Sequence, residues 1–334
     1  MLHLRLIVPA DRMPAVLDLL EGDVSVTHLV VLSGAARDPV GDVVLCDVAR
    51  EGASAVLGAL RGLGIADDGS IAAENIDILM SEAGKKAERA APGLGTDAVV
   101  WEEIEQRVSD ETHLSATYLV FLTVATIIAA IGVLLDQPIL IVGAMVVGPD
   151  FGPLAALCVG VVQRQWTMAK RATVALLVGF PVAMLLTLGA VWLLAAADLA
   201  DRSMLLDERP LTDFIWRPDA LSWIVGFLAG IAGIVSLTSA KSGALVGVLI
   251  SVTTVPAAAN VSVAVAFGVF DEAWGSAVQL VVNLASIVLG GVLTLLVQRL
   301  FWRRRSLQPQ RTASAQRVAA RARRAAREGR RTRG

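Results

Sequence analysis

Cysteine and histidine are scarce in this chain. Its two cysteines, Cys46 and Cys158, lie in a polar part and in an apolar part, so no disulfide framework is indicated. All three histidines precede residue 114. The apolar segments that follow therefore hold no histidine to pair with a serine, a cysteine or a metal ion. From these absences we expect that the protein is not an enzyme, and the sequence leaves any cofactor unknown.

The composition is too apolar for an ordinary soluble protein. Hydrophobic residues make up 55% of the chain, and its mean hydropathy is +0.65. The net charge of −2 hides an uneven distribution. Residues 1–115 hold 20 acidic and nine basic side chains, whereas the segment from Trp302 holds 12 arginines and one glutamate. The N-terminus lacks the basic-then-apolar pattern of a signal peptide, so we expect the first residues to stay on the side where they are made.

Residues 1–82 have the pattern of a small soluble α+β domain. The predicted elements are a strand at 3–9, a helix at 11–20, strands at 27–32 and 42–48, a helix at 53–63 and a strand at 71–80. Asp11 is the expected N-cap of the first helix, and residues 34–41 are the expected turn. The order β-α-β-β-α-β is that of the ferredoxin-like arrangement. By analogy alone, such a module senses a ligand or dimerises, which leaves a homo-oligomer open.

Residues 83–113 connect this domain to the apolar part of the chain. Residues 83–95 are a polar linker rich in alanine and glycine. Residues 96–113 show an amphipathic pattern, with valines and an isoleucine on one side and acidic residues around the rest. We interpret this helix as a strut that carries the soluble domain to the membrane.

Residues 114–301 contain six apolar segments, each near or above the ~20 residues that a helix needs to cross a bilayer. The predicted spans are 116–135, 138–162, 172–197, 221–240, 244–270 and 276–301. The loop between the second and third spans carries three basic residues and no acid, whereas the next loop carries six acids against three arginines. Basic loops stay in the cytoplasm. We therefore predict an α-helical polytopic membrane protein of the cytoplasmic membrane, with both termini in the cytoplasm.

The second span is interrupted at Gly148-Pro149-Asp150-Phe151-Gly152-Pro153. Two prolines four residues apart remove two backbone donors and crowd the preceding turns, so a straight helix cannot continue through them. An aspartate is costly in hydrocarbon, so the break must face protein or a water-filled cavity. The pattern predicts a discontinuous helix that lines a site, and a kinked packing helix is the alternative.

The apolar part also shows signs of internal duplication. The sequence GVVQRQW at residues 160–166 recurs at an offset of 108 residues as GVFDEAW at 268–274. A proline interruption precedes each copy, at Pro149 and at Val255-Pro256-Ala257. Because each half would hold three spans, the halves would enter the membrane from opposite faces. We therefore predict two inverted three-helix repeats with broken helices, an arrangement that surrounds a central site in secondary transporters.

Several of these segments resemble the domain of unknown function 389 family, bacterial hydrophobic membrane proteins without an established activity. The resemblance covers roughly residues 110–300 and is carried by Leu114-Ser115, Tyr118-Leu119, residues 127–132, Ile141-Val142-Gly143-Ala144-Met145 and the break. Pro256 and Asn283 resemble the family's later segments. The break usually reads there as apolar residues around Ser-Pro, so Gly148 and Asp150 are departures. The resemblance implies a polytopic architecture in a bacterial inner membrane, and no activity.

Polar residues inside the spans point towards transport. Together with the breaks, they predict an ion or substrate site formed by Gly148, Pro149, Asp150, Pro153, Pro256, Asn260 and Asn283, with Thr253, Thr254 and Gln279 as further polar residues. The leading hypothesis is a transporter or channel for a small solute or ion, regulated by the cytoplasmic N-terminal domain. Polar residues in membrane helices often only bond a neighbouring helix. The alternative is therefore a membrane-anchored ligand sensor or scaffold without transport activity.

Residues 302–334 form a basic tail, predicted to be cytoplasmic, whose arginines recur at three-to-four spacing. Beyond the lipid bilayer itself, its expected partners are anionic lipids or the acidic N-terminal domain. Nucleic acid is disfavoured, because no base-reading motif or aromatic interleaving accompanies the charge.

Overall fold

In the computed structural model, the chain divides into two compact units, Met1–Glu102 with Val297–Gly334, and Glu103–Leu296. The structure describes residues 1–76, 78–91, 100–110, 112–217, 219–239 and 253–331, with side chains up to residue 300 apart from residue 110. The first unit holds a small sheet with its helices, and the second holds most of the apolar helices.

A four-stranded antiparallel sheet forms the core of the N-terminal domain. The elements are β1 (Leu2–Val8), α1 (Met13–Gly22), β2 (Val26–Arg37), β3 (Val40–Val48), α2 (Arg50–Gly62), the one-turn α3 (Ile65–Asp68) and β4 (Ser70–Asn75). The strand order is β2-β3-β1-β4, so β1 lies between β3 and β4. Alternate residues of β1 are buried in one apolar core with residues of α1 and α2. Apart from α3, this is the element order expected from the sequence.

The ends of these elements differ from the prediction. Asp11 does not cap α1, because residues 9–12 first make a turn closed by a hydrogen bond from Arg12 N to Pro9 O at 3.0 Å. β2 continues through the expected turn as far as Arg37, since irregularities in its pairing let it stay bonded to β3. β4 ends at Asn75, the partner of Leu2, where β1 offers no further strand residue.

Two polar helices follow the sheet. In α4 (Glu82–Ala90), the Ser81 hydroxyl accepts a hydrogen bond from Gly84 N at 3.2 Å and so caps the helix. Of the predicted amphipathic helix at 96–113, the structure describes α5 (Trp101–Asp110), while residues 92–99 and 111 lie outside the described residues. Ile104 and Val108 of α5 are buried, in agreement with the amphipathic pattern.

The second unit is built from apolar helices. They are α6 (Ala116–Leu134), α7 (Pro138–Val147), α8 (Phe151–Gln163), α9 (Trp166–Ala196), the short α10 (Arg202–Leu206), α11 (Ala220–Thr238), α12 (Thr254–Ala266) and the part up to Leu296 of α13 (Phe270–Arg331), with a 3-10 turn at Asp213–Ile215. Among the residues that the structure describes, four helices are long and apolar enough to cross a membrane: α6, α9, α11 and the part of α13 at Phe270–Leu300. The bent pair α7–α8 makes a fifth candidate. The chain therefore has the architecture of a multi-pass membrane protein, and residues 244–252 of the predicted fifth span lie outside the described residues.

Glycines let α11 and α13 approach at backbone distance. A methyl group added at Gly230 would lie 2.2 Å from the carbonyl oxygen of Ile287. One added at Gly290 would lie 2.2 Å from the carbonyl oxygen of Phe227. Only glycine fits such contacts, and small residues serve the same purpose in membrane helix pairs generally.

Helix lengths recur along the second unit. α6 and α11 have 19 residues each, α8 and α12 have 13 each, and α9 and the apolar part of α13 have 31 each. The turns after α8 and α12 also match, with a positive φ at Arg164 (61°) and at Gly268 (72°). These correspondences fall about 104 residues apart. The motif match at 108 residues pairs Gly160, inside α8, with Gly268, beyond α12, and is therefore out of register with the helices.

Candidate functional site

The prolines of the breaks begin helices in this structure. Pro153 and Pro256 are the third residues of α8 and α12. The first four N–H groups of a helix have no partner within it, so a proline there removes no hydrogen bond. Pro149 lies between α7 and α8, whose axes bend by 52° at the break. The predicted discontinuous helix is therefore present.

The start of α12 lies against this break. A methyl group added at Gly148 would lie 2.8 Å from Val255 Cγ2 and 3.4 Å from Asp150 Oδ1. Gly148 ends α7, Asp150 precedes α8 and Val255 is in the first turn of α12. The structure therefore brings the two predicted breaks together.

Asp150 is the buried carboxylate at this junction. Its side chain is 6% exposed and does not cap its own helix. Instead, Oδ2 accepts a hydrogen bond from the hydroxyl of Thr254, the first residue of α12. The carboxylate thus lies near the N-termini of two helices, where the aligned peptide dipoles favour a negative charge. Among the contacts that the structure describes, Asp150 lies beside the starts of two helices and the hydroxyl of Thr254, and not beside a basic side chain.

Asn283 of α13 joins the same junction from a third helix. Its Nδ2 donates a hydrogen bond to Thr253 Oγ1 at 2.8 Å, next to the Thr254 that binds Asp150. Gln279 Nε2 donates in turn to Asn283 Oδ1 at 3.4 Å. The buried residues Asp150, Thr254, Asn283 and Gln279 and the half-buried Thr253 thus form one polar cluster, called here the break cluster.

Asn260 lies elsewhere. It was expected to complete a site with Asp150, but it is seven residues along α12 from Thr253, about 10 Å at 1.5 Å per residue. Its Nδ2 donates to Glu272 Oε1 at 3.0 Å and to Ser276 Oγ at 2.7 Å. Glu272 also accepts from Arg209 Nη2 at 2.5 Å. Arg209, Glu272, Asn260 and Ser276 form a second cluster, called here the ion-pair cluster.

A polar stripe on α13 connects the two clusters. Its members recur at intervals of three or four residues and are all at most 5% exposed: Glu272, Ser276, Gln279, Asn283 and Ser286. This spacing puts them on one face of the helix. Of the predicted site residues, Asn283 belongs to this polar face, which contacts the start of α12 through Thr253 and its middle through Asn260.

These residues fall in a segment with known relatives. Residues 145–289 match the family described as Domain of unknown function (DUF389). Over this part, which is less than half of the chain, the protein resembles that family. The chain is also 24% identical over 196 residues to an uncharacterised protein of Methanocaldococcus jannaschii, a match that covers 59% of this chain and 58% of the relative. The chain thus spans less than two thirds of that relative's length. No solved structure matches this chain.

The matched DUF389 segment contains every residue of the break cluster and of the ion-pair cluster. The sequence had indicated Asp150, Asn260 and Asn283, but not Arg209, Glu272 or Ser276. The signal that was missed is the three-to-four spacing of polar residues from Glu272 onwards. This spacing extends the polar face of α13 to residues that precede the apolar run. Among the described residues, no group of three or more His, Cys, Asp or Glu side chains is arranged to hold a metal ion.

A cleft of about 500 Å³ adjoins the ion-pair cluster. Arg209 and Glu272 both line it, and its other charged lining residues are Asp207, Glu208, Asp213, Arg217 and Asp271. Five carboxylates therefore face two guanidinium groups. We call this the acidic cleft.

Three buried polar atoms near the stripe have no hydrogen-bond partner among the residues that the structure describes. They are Arg209 Nε, Asn260 Oδ1 and Gln279 Oε1. A buried polar group without a partner costs about 1–3 kcal/mol. Such atoms mark places where water or a ligand has a favourable role.

A separate polar cluster lies in the N-terminal domain. The two oxygens of Asp47, a residue 7% exposed, each lie 2.7 Å from a histidine Nδ1, one from His3 and one from His28. His28 Nε2 lies 2.7 Å from the hydroxyl of Ser81, the cap of α4. Burial raises the pKa of the neighbouring Cys46 thiol to about 12, and the charge of Asp47 adds to the rise. Cys46 therefore stays a protonated thiol at neutral pH.

Proposed function

We propose that the protein moves a small solute or an ion across a membrane and that the break cluster is its central site. The observation that carries the proposal is the buried carboxylate of Asp150, which lies where two helix starts meet inside a bundle of apolar helices. A carboxylate buried in an apolar bundle costs free energy, so such residues are rare and usually mark a substrate or ion pathway. Discontinuous helices whose ends meet at a polar site are the usual way in which secondary transporters bind substrate and ion.

The matching helix lengths support an inverted repeat as the architecture behind this function. An offset of about 104 residues relates α6 to α11, α8 to α12, and α9 to the apolar part of α13. We propose six crossings in two halves, with both termini in the cytoplasm. The basic loop after α8 and the acidic loop after α9 support this orientation, because basic loops stay in the cytoplasm.

Regulation by the N-terminal domain is proposed to pass through α5. Gln165, in the turn between α8 and α9, donates a hydrogen bond to Glu105 of α5 at 2.7 Å. This contact joins α5, which follows the N-terminal domain, to the turn at the end of α8. We propose no enzymatic step, and we propose anionic lipids or the N-terminal domain, rather than nucleic acid, as partners of the arginine-rich tail.

Flux into liposomes tests the central role of Asp150. Asp150→Asn keeps the shape of the side chain and removes its charge, so ion-dependent uptake should be lost while the protein stays folded. Asp198→Asn, at an exposed carboxylate beyond α9, is the matched control and should transport like the wild type. Uptake by Asp150→Asn with the same pH and cation dependence as the wild type would rule out the coupling role.

A membrane-anchored sensor is the second candidate function. The buried Asp47 with its two histidines supports it, because this network reaches from the sheet to the cap of α4. A sensor would bind its ligand through the N-terminal domain and show no substrate-dependent flux in liposomes. Flux that depends on Asp150 and not on Asp47 would exclude it.

A further inference from the structure

We propose that Glu272, Asn260 and Ser276 form a binding site for a monovalent cation, and that the guanidinium of Arg209 occupies this site in the present conformation. The site deepens the proposed function, on which it rests only for what the bound ion does after binding. Whether the site binds a cation is tested by measuring thermal stability, without a transport assay.

The geometry brings the three oxygen-bearing side chains together from two helices. Glu272 and Ser276 lie one turn apart on α13, and Asn260 of α12 bonds to both, at 3.0 Å and 2.7 Å. Their exposures are 5%, 0% and 1%. The position is therefore fixed by packing and is shielded from bulk water except on the side of the acidic cleft.

The ligand chemistry favours a cation. Carboxylate, amide carbonyl and hydroxyl oxygens are the donors that hard cations prefer in proteins. Asn260 Oδ1 has no hydrogen-bond partner among the described residues. Half a turn of this amide would present that oxygen where its Nδ2 now bonds Glu272. A free acceptor thus stands beside a carboxylate whose present partner is a positive charge.

Charge balance selects a monovalent ion. The ion-pair cluster holds one carboxylate, Glu272, and one guanidinium, Arg209, 2.5 Å apart and 7% and 6% exposed at their side chains. An ion of charge +1 replaces the guanidinium without leaving a net buried charge. A divalent ion would leave one uncompensated charge in a buried position, which is strongly unfavourable.

The acidic cleft provides the approach. Arg209 and Glu272 line it together with Asp207, Glu208 and Asp271, which are exposed carboxylates. Clefts lined by one sign of charge concentrate ions of the opposite sign. When the guanidinium withdraws, a cation from this cleft reaches Glu272 directly. Arg209 then acts as a tethered competitor for the site.

The test measures the melting temperature of the full chain in lipid nanodiscs, in sodium, potassium or N-methylglucamine chloride at equal ionic strength. Arg209→Gln removes the competitor and leaves Glu272 buried without a counter-charge. This variant should melt below the wild type in N-methylglucamine. Sodium or potassium should raise its melting temperature saturably, by roughly 5–10 °C at about 100 times the dissociation constant.

Two variants control this experiment. Arg209→Lys retains a tethered cation and should show no such rise. Arg209→Gln combined with Glu272→Gln removes both charges and should also be insensitive to the choice of cation. A rise of equal size in the double variant would show a general salt effect and overturn the proposal.

Further outcomes decide the remaining points. Equal melting temperatures of Arg209→Gln in all three salts would overturn the site. So would failure of this variant to fold even when purified in sodium or potassium, because the cation would then not replace the guanidinium. Stabilisation by magnesium or calcium in preference to sodium and potassium would overturn the monovalent class. If cations raise the melting temperature of Arg209→Gln but the wild type shows no flux, the binding site is retained and the proposed transport function is rejected.

Discussion

The hydrogen bond between Thr254 and Asp150 makes a quantitative prediction. Thr254→Val keeps the shape of the side chain and removes the hydroxyl that donates to the buried carboxylate. A hydrogen bond to a charged group contributes about 1.5–3 kcal/mol, and its loss leaves a buried oxygen without a donor. In a unit of this size, each kcal/mol shifts the melting temperature by about 2–4 °C. We expect Thr254→Val to melt roughly 3–12 °C below the wild type, and Thr254→Ser to melt near it.

A double-mutant cycle with Asp150→Asn isolates this interaction from general effects of the valine. If the two side chains are partners, the coupling free energy should be about 0.5–3 kcal/mol. Thr173→Val is the matched control, since the Thr173 hydroxyl bonds the carbonyl of Ala169 in its own helix at 2.8 Å. Its coupling to Asp150→Asn should stay within about 0.3–0.5 kcal/mol. Equal coupling for both threonines would refute the reasoning that joins α12 to the break.

Three further predictions concern packing, topology and pH. Gly230→Ala should destabilise the second unit by about 1–3 kcal/mol in thermal melts, because its methyl group would meet a backbone carbonyl, whereas Gly189→Ala has open space and should be tolerated. Reporter fusions at Gly334 and within residues 200–215 should report opposite sides of the membrane, and a common side for both would end the six-span proposal. Burial raises the pKa of Glu51 above its ordinary value, so the folded state favours the protonated form and loses stability as the pH rises through that pKa. Glu51→Gln should therefore stabilise the N-terminal domain in melts at neutral pH but not at about pH 4, and an equal effect at both values would contradict this.

For the five candidate spans found among the described residues, the apolar pattern predicted the positions better than the ends. The start of α13 was expected at residue 276, where the apolar run begins, but the helix starts at Phe270. Asp271 and Glu272 lie in its first turn, where negative charge is favourable. Hydropathy marks the part of a helix that suits hydrocarbon and carries no information about a polar first turn. As a result, Glu272 was interpreted as a loop residue and left out of the predicted site.

Some features of the site were likewise predictable from the sequence and others were not. The break at residues 148–153 was readable because proline chemistry is local, and Asp150 stood out as a carboxylate in an apolar run. The bond between Arg209 and Glu272 joins positions 63 residues apart. Nothing local to either residue distinguishes that partner from the other charged residues of the same loops. Such a pairing is decided by how the helices pack.

The two halves of the proposed repeat differ on one helix face. An offset of about 104 residues places Glu272, Ser276, Gln279 and Asn283 of α13 on Met168, Ala172, Ala175 and Gly179 of α9, and these four are also buried. A methyl group added at Gly179 would lie 2.7 Å from the Tyr118 ring, so this face of α9 is filled by close packing with α6. Small apolar residues in such a contact have no polar group to exchange with water or an ion. The equivalent face of α13 instead holds hydrogen bonds and one oxygen, Gln279 Oε1, without a partner among the described residues. In the proposed repeat, equivalent positions of these two faces therefore share a backbone and not a role, because the face of α13 carries polar side chains and the face of α9 does not.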